Sequence, residues 1–176
     1  MRALLLRRNR SRVSSQPDKA MTKSVIRFHR MIDAFGEFSN FAPYPISLRG
    51  KQWPTTSHFY QAQKFAGTNR EEEIRRARSP AEAARMARDP RYPVRPDWST
   101  VKDLAMLEAV RAKFRQHRRL ADRLLATNDA LIVEHTAADA YWGDGGDGSG
   151  ENRLGRILMY VRAELREELR RGLTPR

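Results

Sequence analysis

An α+β fold is predicted for this chain by three features of its pattern. Short segments rich in β-branched and aromatic residues fall at 24–29, 46–53 and 130–135. Longer segments with apolar residues at helical spacing lie between and after them. The two kinds do not alternate regularly, as they would in a Rossmann or TIM-barrel chain. With 176 residues the chain is long enough for one domain with a sizeable core. The expectation is a small sheet of at least three strands covered by about five or six helices. No internal repeat is visible.

Residues 1–22 read as a basic extension expected to be disordered, 23–172 as the folded domain and 173–176 as a tail. The extension carries Arg2, Arg7, Arg8, Arg10, Arg12 and Lys19 against Asp18, with no core-forming pattern, and Leu4-Leu5-Leu6 is too short for a signal-peptide core. Ser24–His29 favours a strand. Phe35–Pro45 sets four aromatic rings among Gly, Asn and Pro, the composition of an ordered loop whose rings pack on the core or stack on a planar ligand. Ile46–Trp53 reads as a hairpin turning at Gly50-Lys51.

Pro54-Thr55-Thr56 offers a Thr N-cap to a helix reaching about Ala66. On it Ser57, Gln61 and Lys64 share a face with His58 beside them, while Phe59, Ala62 and Phe65 point to the core. That polar face is a candidate wall for a polar ligand; the plainer alternative for His58 is a ring satisfied by local hydrogen bonds. Glu71–Ala77 continues as a short helix. Ser79-Pro-Ala-Glu82 is a capping box with Pro at the first helical position, and its helix stops near Asp89-Pro90. Arg91–Trp98 is extended by its prolines. Thr100 can cap a long helix to about His117, with Val101, Leu104, Leu107, Ala109 or Val110, and Phe114 as its apolar stripe. A second piece follows from Arg118 to Ala126, then a buried strand Ala130–His135. Leu154, Ile157, Leu158, Val161 and Leu165 mark a final amphipathic helix ending at Gly172.

The composition excludes some classes. There are no cysteines, so no disulfide framework or thiolate metal site exists, and a cytoplasmic setting fits. No apolar run approaches a membrane span, so no membrane partner is expected. The net charge of +13 leaves nucleic acid open as a partner without establishing it, because much of the excess sits in the extension and on helix faces where Glu and Arg are mixed.

The segment Asp139–Gly155 is the chain's most distinctive. Gly143, Gly145, Gly146, Gly148 and Gly150 surround Asp144 and Asp147, with Trp142 before them and the final helix after them. Such a loop at a helix entrance can aim N–H donors and the positive end of the helix dipole at one point, which makes it a candidate floor for a small-molecule site. A flexible surface loop is the alternative. It is not a Walker A motif, a dinucleotide fingerprint or an EF-hand. The four histidines do not form a zinc motif, and no nucleophile elbow is present, so neither metal nor cofactor is expected. What remains, carboxylates, rings and amides around glycines, is equipment suited to a sugar.

Phe38-Ser-Asn-Phe41, Trp53-Pro-Thr-Thr-Ser-His-Phe-Tyr-Gln-Ala-Gln-Lys-Phe65, Ser79-Pro80, Trp98 with Lys102 and Met106, Lys113-Phe114, Val133-Glu-His135, Tyr141-Trp-Gly143, Asp147-Gly148 and Asn152-x-Leu-Gly155 together resemble the YbiA/NADAR family. The resemblance covers about residues 24–168. It implies a single YbiA-like α+β domain that hydrolyses the N-glycosidic bond of ribosylamino-pyrimidine phosphates from riboflavin synthesis. Some relatives instead act on ADP-ribose attached to guanine in nucleic acid. A non-catalytic nucleotide or ADP-ribose binding module is a third reading. The family's helix motif usually carries a glutamate thought to be catalytic where this chain has Ser57, so another carboxylate (Asp139, Asp144, Asp147, Glu134 or Glu37) is expected to supply the charge. On this reading Asp139 is the catalytic carboxylate, with Ser57, His58 and Gln61 orienting water or sugar hydroxyls. Trp98, Trp142 and Phe41 stack on base or ribose, a place in the core being the alternative for Trp98 and Phe41. Lys64, Arg153 and the N–H groups of Gly145–Gly150 hold phosphate, with Gly143, Asp144, Asp147 and Gly148 forming the loop. Asn40 and Asn152 bond base or ribose. The expected partner is a small ribose-phosphate substrate.

Overall fold

The computed structural model describes residues 24–173, so the whole basic extension, residue 23 and the last three residues lie outside it. Four strands and six α-helices follow one another: β1 (Val25–Phe28), β2 (Ile46–Leu48), β3 (Lys51–Trp53), α1 (Thr56–Ala62), α2 (Asn69–Arg75), α3 (Pro80–Met86), α4 (Trp98–Gln116), α5 (Arg118–Leu125), β4 (Leu131–Glu134) and α6 (Arg153–Arg170). The α+β class holds, and the domain is single. The strands do not join in one sheet. β1 and β4 pair in parallel, with Val25 opposite Leu131 and Phe28 opposite Glu134, while β2 and β3 form a separate antiparallel hairpin.

Local sequence explains most boundaries. The hairpin turns on Arg49 and Gly50, one residue before the expected pair, and both have positive φ, which matches the twist of a tight two-residue turn. Thr55 caps α1, its hydroxyl accepting from the His58 N–H, and a 3-10 turn at Gln63–Phe65 extends the helix to its expected end. Ser79 accepts from the Glu82 N–H to start α3. α4 begins at Trp98, with Asp97 rather than Thr100 at the cap.

The core collects Phe28, Phe38, Trp53, Phe59, Phe114 and the α6 residues Leu154, Leu158, Val161 and Leu165. Phe38, in a 3-10 turn of the aromatic loop, lies edge-on to Phe28 and Phe114 with centroids 6.0 and 5.6 Å away. The expected stripe of α4 holds at Leu107, Ala109, Val110 and Phe114 but not at Leu104. Leu104 is 64% exposed, while Ala105, Met106, Ala109, Val110, Lys113 and Phe114 are buried. α4 packs against α1 on one side and α5 and α6 on the other, so no single stripe describes it. Among the described residues no helix is long and apolar enough to cross a membrane.

α6 docks directly on β4. A Cβ at Gly155 would sit 2.1 Å from the Ile132 carbonyl oxygen, so backbone must move before any side chain fits there. Gly155→Ala is expected to cost about 1–3 kcal/mol of stability through this overpacking. Urea unfolding followed by circular dichroism reads it as a lower midpoint with unchanged slope.

Candidate active site

A cleft of about 490 Å³ opens where β4, α1 and the loop after β1 converge. Each wall has its own support. The loop wall carries Ser39, Asn40 and Phe41. Lys113 Nζ, fully buried on α4, donates to the carbonyls of Glu37 (2.6 Å) and Ser39 (2.8 Å), holding that loop from beneath. Burial without a counter-charge lowers its pKa to about 7. Asn40 binds the start of α1: its carbonyl accepts from the Ser57 N–H, and its side-chain oxygen from the Thr56 hydroxyl, both at 3.1 Å. Its amide nitrogen reaches Met106 Sδ at 3.3 Å.

The α1 wall presents Ser57, Tyr60 and Gln61. Gln61 Oε1 is buried with no protein hydrogen-bond donor, an acceptor available to a ligand hydroxyl or amine. The Tyr60 ring stacks edge-on to Trp142 (centroids 5.3 Å) and tilted on Trp98 (5.1 Å). Arg30, ahead of the aromatic loop, and Arg88, just beyond α3, bring positive charge to the cleft.

The third wall comes from β4 and the segment after it: Glu134, Thr136, Asp139 and Trp142. Asp139 Oδ1 accepts from the N–H groups of Tyr141 (2.9 Å) and Trp142 (2.8 Å), which fixes carboxylate and indole as one turn. Glu134 ends β4. Burial, then the negative charges of Asp139 and Asp144, raise its pKa to about 7.

Of the expected residues, Asn40, Phe41, Ser57, Gln61, Asp139 and Trp142 meet in this cleft. The others do not line it. His58 is buried, Nδ1 against the Thr55 hydroxyl (2.8 Å) and Nε2 against the Ala77 carbonyl (3.2 Å), so both ring nitrogens are used structurally. Trp98 and Lys64 stand behind Tyr60, the ammonium 5.9 Å from the Tyr60 ring and 5.8 Å from the Trp98 ring. Arg153 turns towards α4 and pairs with Asp103 at 2.8 Å. Asn152 does not face a ligand: its amide donates to the Ile132 carbonyl (2.8 Å) and accepts from the Glu134 N–H (3.0 Å).

The expectation of an anion cradle in the glycine loop is corrected. The N–H groups of Gly145, Gly146, Gly148, Ser149 and Gly150 all have acceptors inside the protein. Asp144 Oδ1 accepts from Thr136 N–H (3.2 Å) and Gly146 N–H (2.9 Å), and Oδ2 meets the His135 ring (2.8 Å). The N–H groups of Gly148 and Gly150 bond the Asp144 carbonyl, and that of Ser149 bonds Asp147. The first two N–H groups of α6 are taken likewise, Arg153 N–H on Tyr141 O and Leu154 N–H on Trp142 O. Gly143, Asp144, Asp147 and Gly148 thus belong to a self-bonded buttress that presents Asp139 and Trp142.

Sequence reasoning passed over Tyr60, Arg30 and Arg88 as site residues and placed Glu134 only among several alternative carboxylates. Tyr60 adjoins Gln61 within the quoted helix motif, which was its available signal. The arginines had none in a chain with 34 basic residues.

Paired carboxylates, rings and cations around a cleft in an α+β domain define a small-molecule site suited to glycosyl chemistry. The comparisons with known proteins agree with that class. The chain belongs to the NADAR domain family, whose model matches residues 27–166. It is 54% identical over 145 residues to N-glycosidase YbiA of Escherichia coli, covering 82% of this chain and 91% of that protein. It is 43% identical over 158 residues to a riboflavin biosynthesis protein of Vibrio vulnificus, covering 90% of this chain and 41% of that one. The NMR structure of E. coli YbiA superposes with a TM-score of 0.78 at 53% identity, over 84% of this chain and 88% of that one.

The raised Glu134 pKa has a consequence for stability. The folded protein holds this proton above pH 4.5, the group's ordinary value, where the unfolded chain releases it, so Glu134 makes stability fall as pH rises from about 4.5 to about 7. Glu134→Gln is expected to flatten that part of the curve of urea midpoint against pH, relative to wild type.

Proposed function

We propose that this protein is an N-glycosidase that hydrolyses the C1′–N bond of ribosylamino-pyrimidine phosphates, the early intermediates of riboflavin synthesis. The observation that carries the reading is the cleft that combines the carboxylates of Glu134 and Asp139 with the rings of Phe41, Tyr60 and Trp142 and the cations of Arg30 and Arg88. Its volume suits a ribose phosphate bearing one base ring. The names of the E. coli and Vibrio relatives support the reaction and the metabolic setting respectively.

Breaking C1′–N leaves positive charge shared between the anomeric carbon and the ring oxygen. A fixed carboxylate beside that centre stabilises the transition state more than the neutral ground state, which is the condition for catalysis. Asp139 fills that role, because two backbone amides hold its carboxylate in place before substrate arrives. Tyr60 and Trp142 receive the base or the sugar face, and Gln61 Oε1 accepts from a ribose hydroxyl. Arg30 and Arg88 receive the phosphate, the task that the sequence assigns to Lys64, Arg153 and the glycine loop. Ser57, at the start of α1, is small enough to leave room for the attacking water.

Incubating the full chain with a ribosylamino-pyrimidine phosphate should release ribose 5-phosphate and free pyrimidine, measured by chromatography. Asp139→Asn keeps the shape and both backbone bonds but loses the charge, and kcat is expected to fall about 10²–10³-fold. Full turnover by that variant would remove Asp139 from the chemistry.

A further inference from the structure

Asp139 stabilises charge on the sugar but does not solve the problem of the departing nitrogen. An amine leaves as a strongly basic anion unless it is protonated as the bond breaks, so the cleft needs a proton donor. We propose that Glu134 is the general acid that protonates the leaving nitrogen, and that the same group then takes a proton from the attacking water. This inference rests on the N-glycosidase reading of the cleft.

The placement of Glu134 sets it apart from every other acid near the cleft. The carboxylate of Asp144 is bound to Thr136, Gly146 and His135, and one oxygen of Asp139 is bound to two amides. No hydrogen bond or ion pair in the described structure reaches the Glu134 carboxyl, although its own backbone is locked on both sides. Its N–H is held by Asn152, and its strand pairs with β1 at Phe28. The group is therefore positioned by its backbone and left unsatisfied at its tip, in a wall of the cleft. The charged groups around it are Asp139 in the same cleft and Asp144 behind it, with His29 and Arg30 just after the neighbouring strand β1 and Arg88 just after α3. Burial and the two neighbouring aspartates favour the protonated form near neutral pH, with a pKa of about 7.

The step balances without any further reagent. The C1′–N electron pair departs with nitrogen, which receives the proton of Glu134. Water oxygen bonds to C1′ and gives its proton to the Glu134 carboxylate, restoring the acid. The products are ribose 5-phosphate and the aminopyrimidine, and the enzyme is unchanged.

The test compares two leaving groups on the full chain. One substrate is a ribosylamino-pyrimidine phosphate; the other is a p-nitrophenyl riboside 5-phosphate, whose phenolate departs without protonation. Glu134→Gln is expected to lower kcat about 10²–10⁴-fold on the amine substrate and no more than about tenfold on the nitrophenyl one. The wild-type profile of kcat/KM on the amine should fall as pH rises through about 7, and the variant should lose that limb. Glu134→Asp should recover part of the activity. An equal loss on both substrates, or an unchanged alkaline limb in the variant, overturns the assignment of Glu134 while leaving the N-glycosidase reading intact. A wild-type enzyme that cleaves neither substrate overturns that reading, and the assignment with it.

Discussion

The first turn of α6 lies against the open edge of β4, and the rest of the site is arranged by that approach. β4 is paired with β1 along one edge only. On the other edge the Asn152 carboxamide takes the place of a neighbouring strand, donating to Ile132 and accepting from Glu134. Asn152 does so from a left-handed backbone conformation that asparagine tolerates better than most residues. Gly155, one turn later, removes the Cβ that would strike Ile132. A parallel pair of four-residue strands would otherwise expose unpaired backbone groups in a partly buried setting.

With both ends of the 135–152 segment fixed in this way, its interior must make a tight return. The glycines and Asp144 serve that return, bonding the loop to itself. Asp139 and Trp142 are delivered to the cleft as part of the same turn. Glu134 is held at its backbone by the Asn152 clamp while its side chain stays without a partner. On the opposite wall the buried Lys113 ammonium binds two carbonyls of the aromatic loop. The cleft is thus shaped in part by polar groups bonded within the protein, and Gln61 Oε1 and the Glu134 carboxyl are among the lining groups left without a partner.

Much of this was legible in the sequence because it is local. Caps at Thr55 and Ser79, the strand at 131–134 and the amphipathic pattern of α6 depend on residues within a few positions of one another. The motif resemblance brought Asn40, Ser57, Gln61, Asp139 and Trp142 into one neighbourhood. The failures are long-range. Composition reveals that the glycine loop has donors but not that Asp144 and residues 139–143 consume them. Periodicity phases α4 at Val110 and Phe114 but misplaces Leu104, because the helix is covered by several elements. His58 looked chemical in the sequence, whereas the carbonyl that satisfies it belongs to Ala77, in the next helical hairpin. The arginines at 30 and 88 reach the cleft only through the tertiary fold.

The central claim is that the sugar phosphate binds between the β4 wall and α1, with the glycine loop supporting the site from outside. Titrating ribose 5-phosphate into isotope-labelled protein and following amide and carboxyl resonances tests it most directly. The account predicts shifts at Glu134, Asp139, Gln61 and the residues around Arg30 and Arg88, with the amides of Gly145–Gly150 nearly unmoved. Large shifts confined to those glycine amides, with the Glu134 and Asp139 signals unchanged, would contradict it.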